Sequence, residues 1–194
     1  MKRKIIAAII VLIVVFALNA CGGNDYETDN KAVAYKSLAF LVPEDWEETK
    51  IPGAKAKGVS YEGDMFLSDE GDGIVVYQYK YDKSKYLRAA KQIDFVIKNL
   101  DGYSFDTESF KDMKYKLDSK GHRKVNGKKY KSAIYDISGT SNEGETNNGQ
   151  IEYVFIPHKY TLYMAGYMYL QNIDEDDVKA NKQFFFDNLT FDFD

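Results

Sequence analysis

The sequence predicts an α+β fold in which an antiparallel sheet is sandwiched by helices. Three observations carry this. Aromatic runs alternate with period two, as in Ile74–Tyr81. An Asn126-Gly127 pair sits between two alternating runs, the strongest short-range hairpin signal. Two stretches, 84–100 and 174–188, carry helical periodicity between and after the strands. With 16 Tyr and 12 Phe, the chain is rich in residues that favour half-buried pleated positions.

The elements follow in order. Lys36–Val42 reads as a first strand; Pro43 ends it and Glu44-Asp45-Trp46 turns the corner. Ala54–Glu62 and Asp64–Leu67 are weaker strands, followed by a turn over 68–73. Ile74–Tyr81 is a strand with Val75, Tyr77, Tyr79 and Tyr81 on one face. Ser84 is placed to cap a helix to Leu100, with Tyr86, Ala90, Ile93, Ile97 and Leu100 in one stripe and Phe95 off it. Asp101-Gly102 ends that helix.

Tyr115–Val125 and Lys128–Ser138 form the Asn-Gly hairpin. Gly139–Gly149 reads as a mobile loop. Gln150–Ile156 and Tyr160–Leu170 are strands; the second is apolar on both faces and belongs at the sheet centre. The last helix runs from Asp174 to Asn188, with Val178, Phe184, Phe185 and Leu189 inward, and Thr190–Phe193 closes the chain as a short strand.

The amino end is organised differently. Met1-Lys2-Arg3-Lys4 precedes an unbroken apolar run of 14 residues, Ile5–Leu18. A spanning helix needs about 20 apolar residues, so this run reads as an export signal. Leu18-Asn19-Ala20-Cys21 then resembles the lipobox of bacterial lipoproteins, in which the cysteine is acylated and becomes the mature amino end. The resemblance implies a signal peptide over 1–20 and a lipid anchor at Cys21, palmitate or a similar acyl group. A flexible tether is expected over 21–32 and one domain over 33–194. The expected place is the extracytoplasmic face of the cell membrane.

Without Lys2, Arg3 and Lys4 the chain keeps 23 basic against 30 acidic residues, and no basic patch favours nucleic acid. Cys21 is the single cysteine, so the exported part has no internal disulfide. At 174 residues it is long enough to bury about 70% of its extended-chain surface without one.

Three stretches together resemble the PsbP-like fold family. They are Phe40-Leu41-Val42-Pro43-Glu44-Asp45-Trp46, the hairpin from Gly121 through Asn126-Gly127 to Lys131-Ser132-Ala133-Ile134-Tyr135, and the terminal Phe186-Asp187-Asn188-Leu189-Thr190-Phe191. The resemblance implies the antiparallel sheet covered by helices that the residues also predict. It implies no activity: photosynthetic members bind a larger membrane complex, another branch binds a small GTPase, and many bacterial lipoprotein members have no assigned role. The lipid anchor and the two histidines set this chain apart from photosynthetic members.

Chemistry is sparse. His122 lies in a basic strand and His158 in a turn, and both read as surface residues. No metal-binding or phosphate-cradling motif is present, and no cofactor is expected. Asp69, Glu70 and Asp72 crowd a turn, and Asp174-Glu175-Asp176-Asp177 sit where a helix dipole welcomes carboxylates. Tyr77, Tyr79 and Tyr81 form an aromatic row suited to sugar rings or a peptide. The helix stripe needs an apolar partner, so core packing beneath it is the plainer role. Trp46 joins the candidates on the same terms. The expected function is a non-catalytic binding or interaction module with a protein or envelope partner. The alternative is a small-molecule or glycan binder associated with a transporter.

Overall fold

Short two-residue turns set the register of this molecule. In the computed structural model, which describes residues 29–69, 71–105, 110–141, 144–170 and 173–193, Val125 pairs with Lys128 across Asn126-Gly127. Both turn residues have positive φ, 47° and 76°, the conformation that matches the twist of a tight hairpin. The same device recurs at Lys57-Gly58. The expected signal segment over 1–20 and Cys21 lie outside the described residues.

The strands are β1 Asn30–Tyr35, β2 Leu38–Pro43, β3 Glu47–Ala56, β4 Val59–Leu67, β5 Gly73–Tyr81, β6 Ser104–Phe105, β7 Phe110–Val125, β8 Lys128–Ser141, β9 Thr146–His158, β10 Thr161–Leu170 and β11 Thr190–Phe191. The helices are α1 Ile93–Leu100 and α2 Glu175–Asn188. All pairings are antiparallel, in an eight-stranded sheet ordered β3-β4-β5-β10-β9-β8-β7-β6 and a three-stranded sheet ordered β1-β2-β11. As its two apolar faces predict, β10 is interior, between β5 and β9.

Each face of the large sheet has its own core. One holds Val75, Tyr135, Tyr153, Phe155, Leu162 and Met164 beneath Ile93 and Ile97 of α1. The other holds Phe66, Val154, Ile156 and Tyr167 beneath Phe40 of β2 and Phe185 and Phe186 of α2. Phe40 meets Phe66 and Phe185 edge to face at 5.6 and 5.8 Å. The second face is therefore covered by a helix and a small sheet together, which corrects the expectation of helices alone on both sides. The small sheet forms because β11 adds to β2 across Ala39 and Leu38.

A bidentate ion pair ties α2 down. Arg123 Nε and a terminal guanidinium nitrogen donate to Glu152 at 2.6 and 2.7 Å. Lys182 of α2 approaches the same carboxylate at 3.5 Å, and the guanidinium lies 4.4 Å over the Phe186 ring. Asp174 caps α2, accepting from the Asp176 and Asp177 amides, so the acidic start of the helix is structural.

Several boundaries differ from the sequence reading. Asn30–Ala32, inside the expected tether, pair in β1, and Lys31 Nζ donates to the carbonyls of Glu44 and Trp46. The expected strand 54–62 straddles the Lys57-Gly58 turn, with β3 reaching back to Glu47. The expected helix from Ser84 is a loop, because Asp82 accepts from the Ser84 amide and hydroxyl and closes a turn there. A 3-10 turn at Ala89–Lys91 leads into α1, Ala89 rather than Ala90 is buried, and Phe95 is 63% exposed. The expected loop 139–149 is largely ladder, since Gly139 pairs with Asn147 and Thr140 with Thr146. In α2, Phe186 is buried and Phe184 exposed.

Candidate functional site

The wing made by β3, β4 and β5 carries half-buried side chains packed against the edge of the core that lies beneath α1. That helix packs most closely on β7, and the 3-10 turn before it on β9 and β10. Strand alternation brings Val59, Tyr61, Met65 and Leu67 of β4 to the same face as Val75, Tyr77, Tyr79 and Tyr81 of β5. None of these side chains carries a charge at neutral pH. Tyr61 pairs directly with Tyr79, and their rings lie 5.7 Å apart. Tyr77 is 6.2 Å from Tyr79 and 6.4 Å from Tyr153.

Gly63 makes room for the Tyr77 ring beside β4. A Cβ at Gly63 would stand 2.7 Å from Tyr77 Cδ1, inside contact distance. Tyr103, on the loop after α1, is 48% exposed and hydrogen-bonds Tyr61. The result is a tyrosine shelf: half-buried rings at 61, 77 and 79 with Tyr103 at the rim. Burial pushes the phenols of Tyr77 and Tyr79 well above the usual range, so they stay protonated and neutral.

The four sequence-predicted candidates therefore separate. Tyr77 and Tyr79 reach the shelf. Tyr81 is buried, with its ring 5.6 Å from that of Tyr86. Trp46 is buried on the opposite face of the sheet, 6.4 Å from the Tyr167 ring. Two shelf residues were missed. Tyr61 becomes visible once the Val59–Tyr81 register is known, whereas Tyr103 sits in a loop with no periodicity to announce it.

The acid–base groups do not converge. His122 is exposed on β7, while His158 at the end of β9 stacks on Phe193 at 4.5 Å. Burial, with Lys159 beside it, holds the His158 imidazole below its usual pKa. Asp72 is buried and accepts from the Ser68 and Tyr167 hydroxyls, so it pins the β4–β5 turn to β10. Among the described residues no three His, Cys, Asp or Glu side chains stand close enough to share a metal ion. Nor, among them, is any helix long and apolar enough to cross a membrane.

The fold is similar to that of the cyanobacterial PsbP, CyanoP, from Synechocystis sp. PCC 6803. The two chains are 13% identical, with a TM-score of 0.50, over 91% of this chain and 99% of that one. LpqN of Mycobacterium tuberculosis, described as involved in cell envelope biogenesis, is 16% identical over 86% of this chain and 92% of that one, with a TM-score of 0.39. No family model and no curated protein matches the sequence. The fold is thus PsbP-like, as the three sequence stretches implied.

Proposed function

We propose that this chain is an extracytoplasmic lipoprotein, anchored through Cys21, that works as a non-catalytic binding module. The observation that carries the binding role is the half-buried tyrosine shelf with exposed Tyr103 at its rim. Tyrosine offers a large rigid contact area with a hydroxyl at its tip, a combination enriched at recognition surfaces. The anchor rests on Leu18-Asn19-Ala20-Cys21 following the apolar run. More than one acyl chain is needed for stable attachment, at about 0.8 kcal/mol per buried CH2.

A protein or envelope partner is favoured over a glycan delivered to a transporter. The glycan version called for an exposed cleft formed by Tyr77, Tyr79 and Tyr81; Tyr81 is buried and the other two are half-buried, with their rings tilted 43° to each other.

The test places a photo-cross-linking residue at Tyr103 in intact cells of the source organism, with a second at exposed His122 as control. One recurrent adduct from position 103 supports the reading. Equal, diffuse labelling from both positions refutes it. Labelled palmitate incorporated by the native chain and absent from Cys21→Ser supports the anchor; incorporation unaffected by that substitution refutes it.

A further inference from the structure

The overall acidic balance conceals a local excess of the opposite sign. Residues 88–98 and 120–131 hold nine cations and one carboxylate, Asp94, whereas the rest of the chain holds 17 basic against 29 acidic residues. The fold brings these two stretches together. Across β7 and β8, Lys120 pairs with Ala133, His122 with Lys131 and Lys124 with Lys129. Directly paired residues share a face of the sheet, and Ala133 belongs to the core beneath α1. Lys120, Lys124, Lys129 and Lys131 therefore all stand on the α1 side, and the first three are exposed.

Asp94 of α1 answers only part of this charge. Its carboxylate accepts from Lys131 Nζ at 2.7 and 2.8 Å, and those bonds, with the charge of Lys120 nearby, hold its carboxyl below the usual range. Among the described residues no carboxylate stands within ion-pair distance of Lys120, Lys124 or Lys129. Lysines on an open strand edge guard against edge-to-edge pairing, and β7 has such an edge beyond its two-residue pairing with β6. That accounts for Lys120 and Lys124. It does not account for Lys129 and Lys131, because β8 is an interior strand between β7 and β9.

Apolar side chains surface in the same layer. Among the described residues the exposed large ones are Leu87, Phe95, Tyr103 and Phe184. The first three belong to α1 or to the loops at its two ends. Phe95 follows Asp94 directly, and Leu87, 68% exposed, precedes the 3-10 turn. Charge alone suits any anionic partner. Phenylalanine and leucine set among lysines suit a lipid surface, whose headgroups take the charge and whose acyl boundary takes the apolar side chains.

We propose that the α1 face, with Phe95 and Leu87 beside the lysines of the β7–β8 hairpin, docks the domain onto an anionic phospholipid surface. This rests on the anchored reading, which keeps the face at high effective concentration beside the membrane. It uses none of the shelf tyrosines, so cross-linking through Tyr103 reports a different contact.

The test places a photo-cross-linking residue at position 95 of the full chain, with one at exposed Phe184 of α2 as control. Each chain is mixed with vesicles of phosphatidylcholine, with or without phosphatidylglycerol. Position 95 should form phospholipid adducts with the phosphatidylglycerol vesicles, about tenfold fewer with phosphatidylcholine alone, and fewer as salt rises. At a salt concentration that halves the adduct, Lys124→Gln with Lys129→Gln should lower it about tenfold further. A chain that fails to float with phosphatidylcholine vesicles, yet labels phosphatidylglycerol ones from position 95, supports the docking face and refutes the anchor. Equal adducts in the two lipids, equal adducts from positions 95 and 184, or a yield unchanged by the lysine pair overturns the proposal. So does a protein adduct in place of lipid from position 95 in intact cells, which identifies an acidic protein as the occupant.

Discussion

Raising the pH should unfold this domain abruptly, and the structure sets where. Tyr35, Tyr81, Tyr115, Tyr135, Tyr153 and Tyr167 are all buried. Burial raises every one of their phenols. Tyr81 and Tyr115 reach about 12, and the other four go higher. Nearby carboxylates add to the effect: Glu62 at Tyr35, Asp101 at Tyr135 and Asp72 at Tyr167. An unfolded tyrosine loses its proton near pH 10, while the folded one keeps it. The unfolded state then binds fewer protons, so stability is intact below pH 10 and falls as pH rises. At about pH 11 each such tyrosine removes about 1.4 kcal/mol, and the six together about 8 kcal/mol. That is comparable with the whole stability of a typical domain, about 5–15 kcal/mol. Tyrosinate absorbance and the far-ultraviolet circular dichroism should therefore change together in one steep transition near pH 11. A gradual absorbance rise centred near pH 10, with the sheet signal intact after all 16 phenols have ionised, would refute the argument.

Arg123→Ala should cost about 3 kcal/mol in a urea titration, because it strips the bidentate partner from buried Glu152 and leaves Lys182 at 3.5 Å. Replacing both partners, Arg123→Met with Glu152→Leu, should recover most of that loss. Gly166→Ala should cost about 2–3 kcal/mol in a denaturant titration, since its Cβ would stand 2.5 Å from the Tyr153 ring. Asp72→Ala should cost about 1–3 kcal/mol by removing the acceptor of the buried Tyr167 hydroxyl. His158 is depressed in the fold, so unfolding takes up a proton as pH falls below 6.5 and stability declines with acidification. His158→Gln should flatten that part of the stability–pH curve, measured by urea midpoints across the range.

Legibility followed the range of the forces involved. The Asn126-Gly127 turn, the acidic start of the last helix and the doubly apolar β10 were readable because each is decided within a few residues. The helix expected over 84–100 forms only from Ile93 to Leu100, because a local bond from Ser84 to Asp82 competes with it at the start. The polar stretch 139–149 looks like a loop, yet partner strands complete its hydrogen bonds, and pairing between strands leaves no mark in composition. The tyrosine row was legible as a row. Its division into a shelf and a core depended on where α1 comes to rest, a matter of tertiary packing.

The β1–β2 hairpin has a mechanical consequence. Its open end is Asn30 against Pro43, and its closed end is the Lys36-Ser37 turn. Tension applied from the amino-terminal side would peel β1 away one pair at a time, from Asn30 inward, rather than shear all six rungs at once. The two bonds from Lys31 break early, and buried Tyr35 at the far end acts as the stop. The released strand would extend by about 20 Å at about 3.4 Å per residue. The large sheet, which β1 does not join, would keep its pairing while the strand is released.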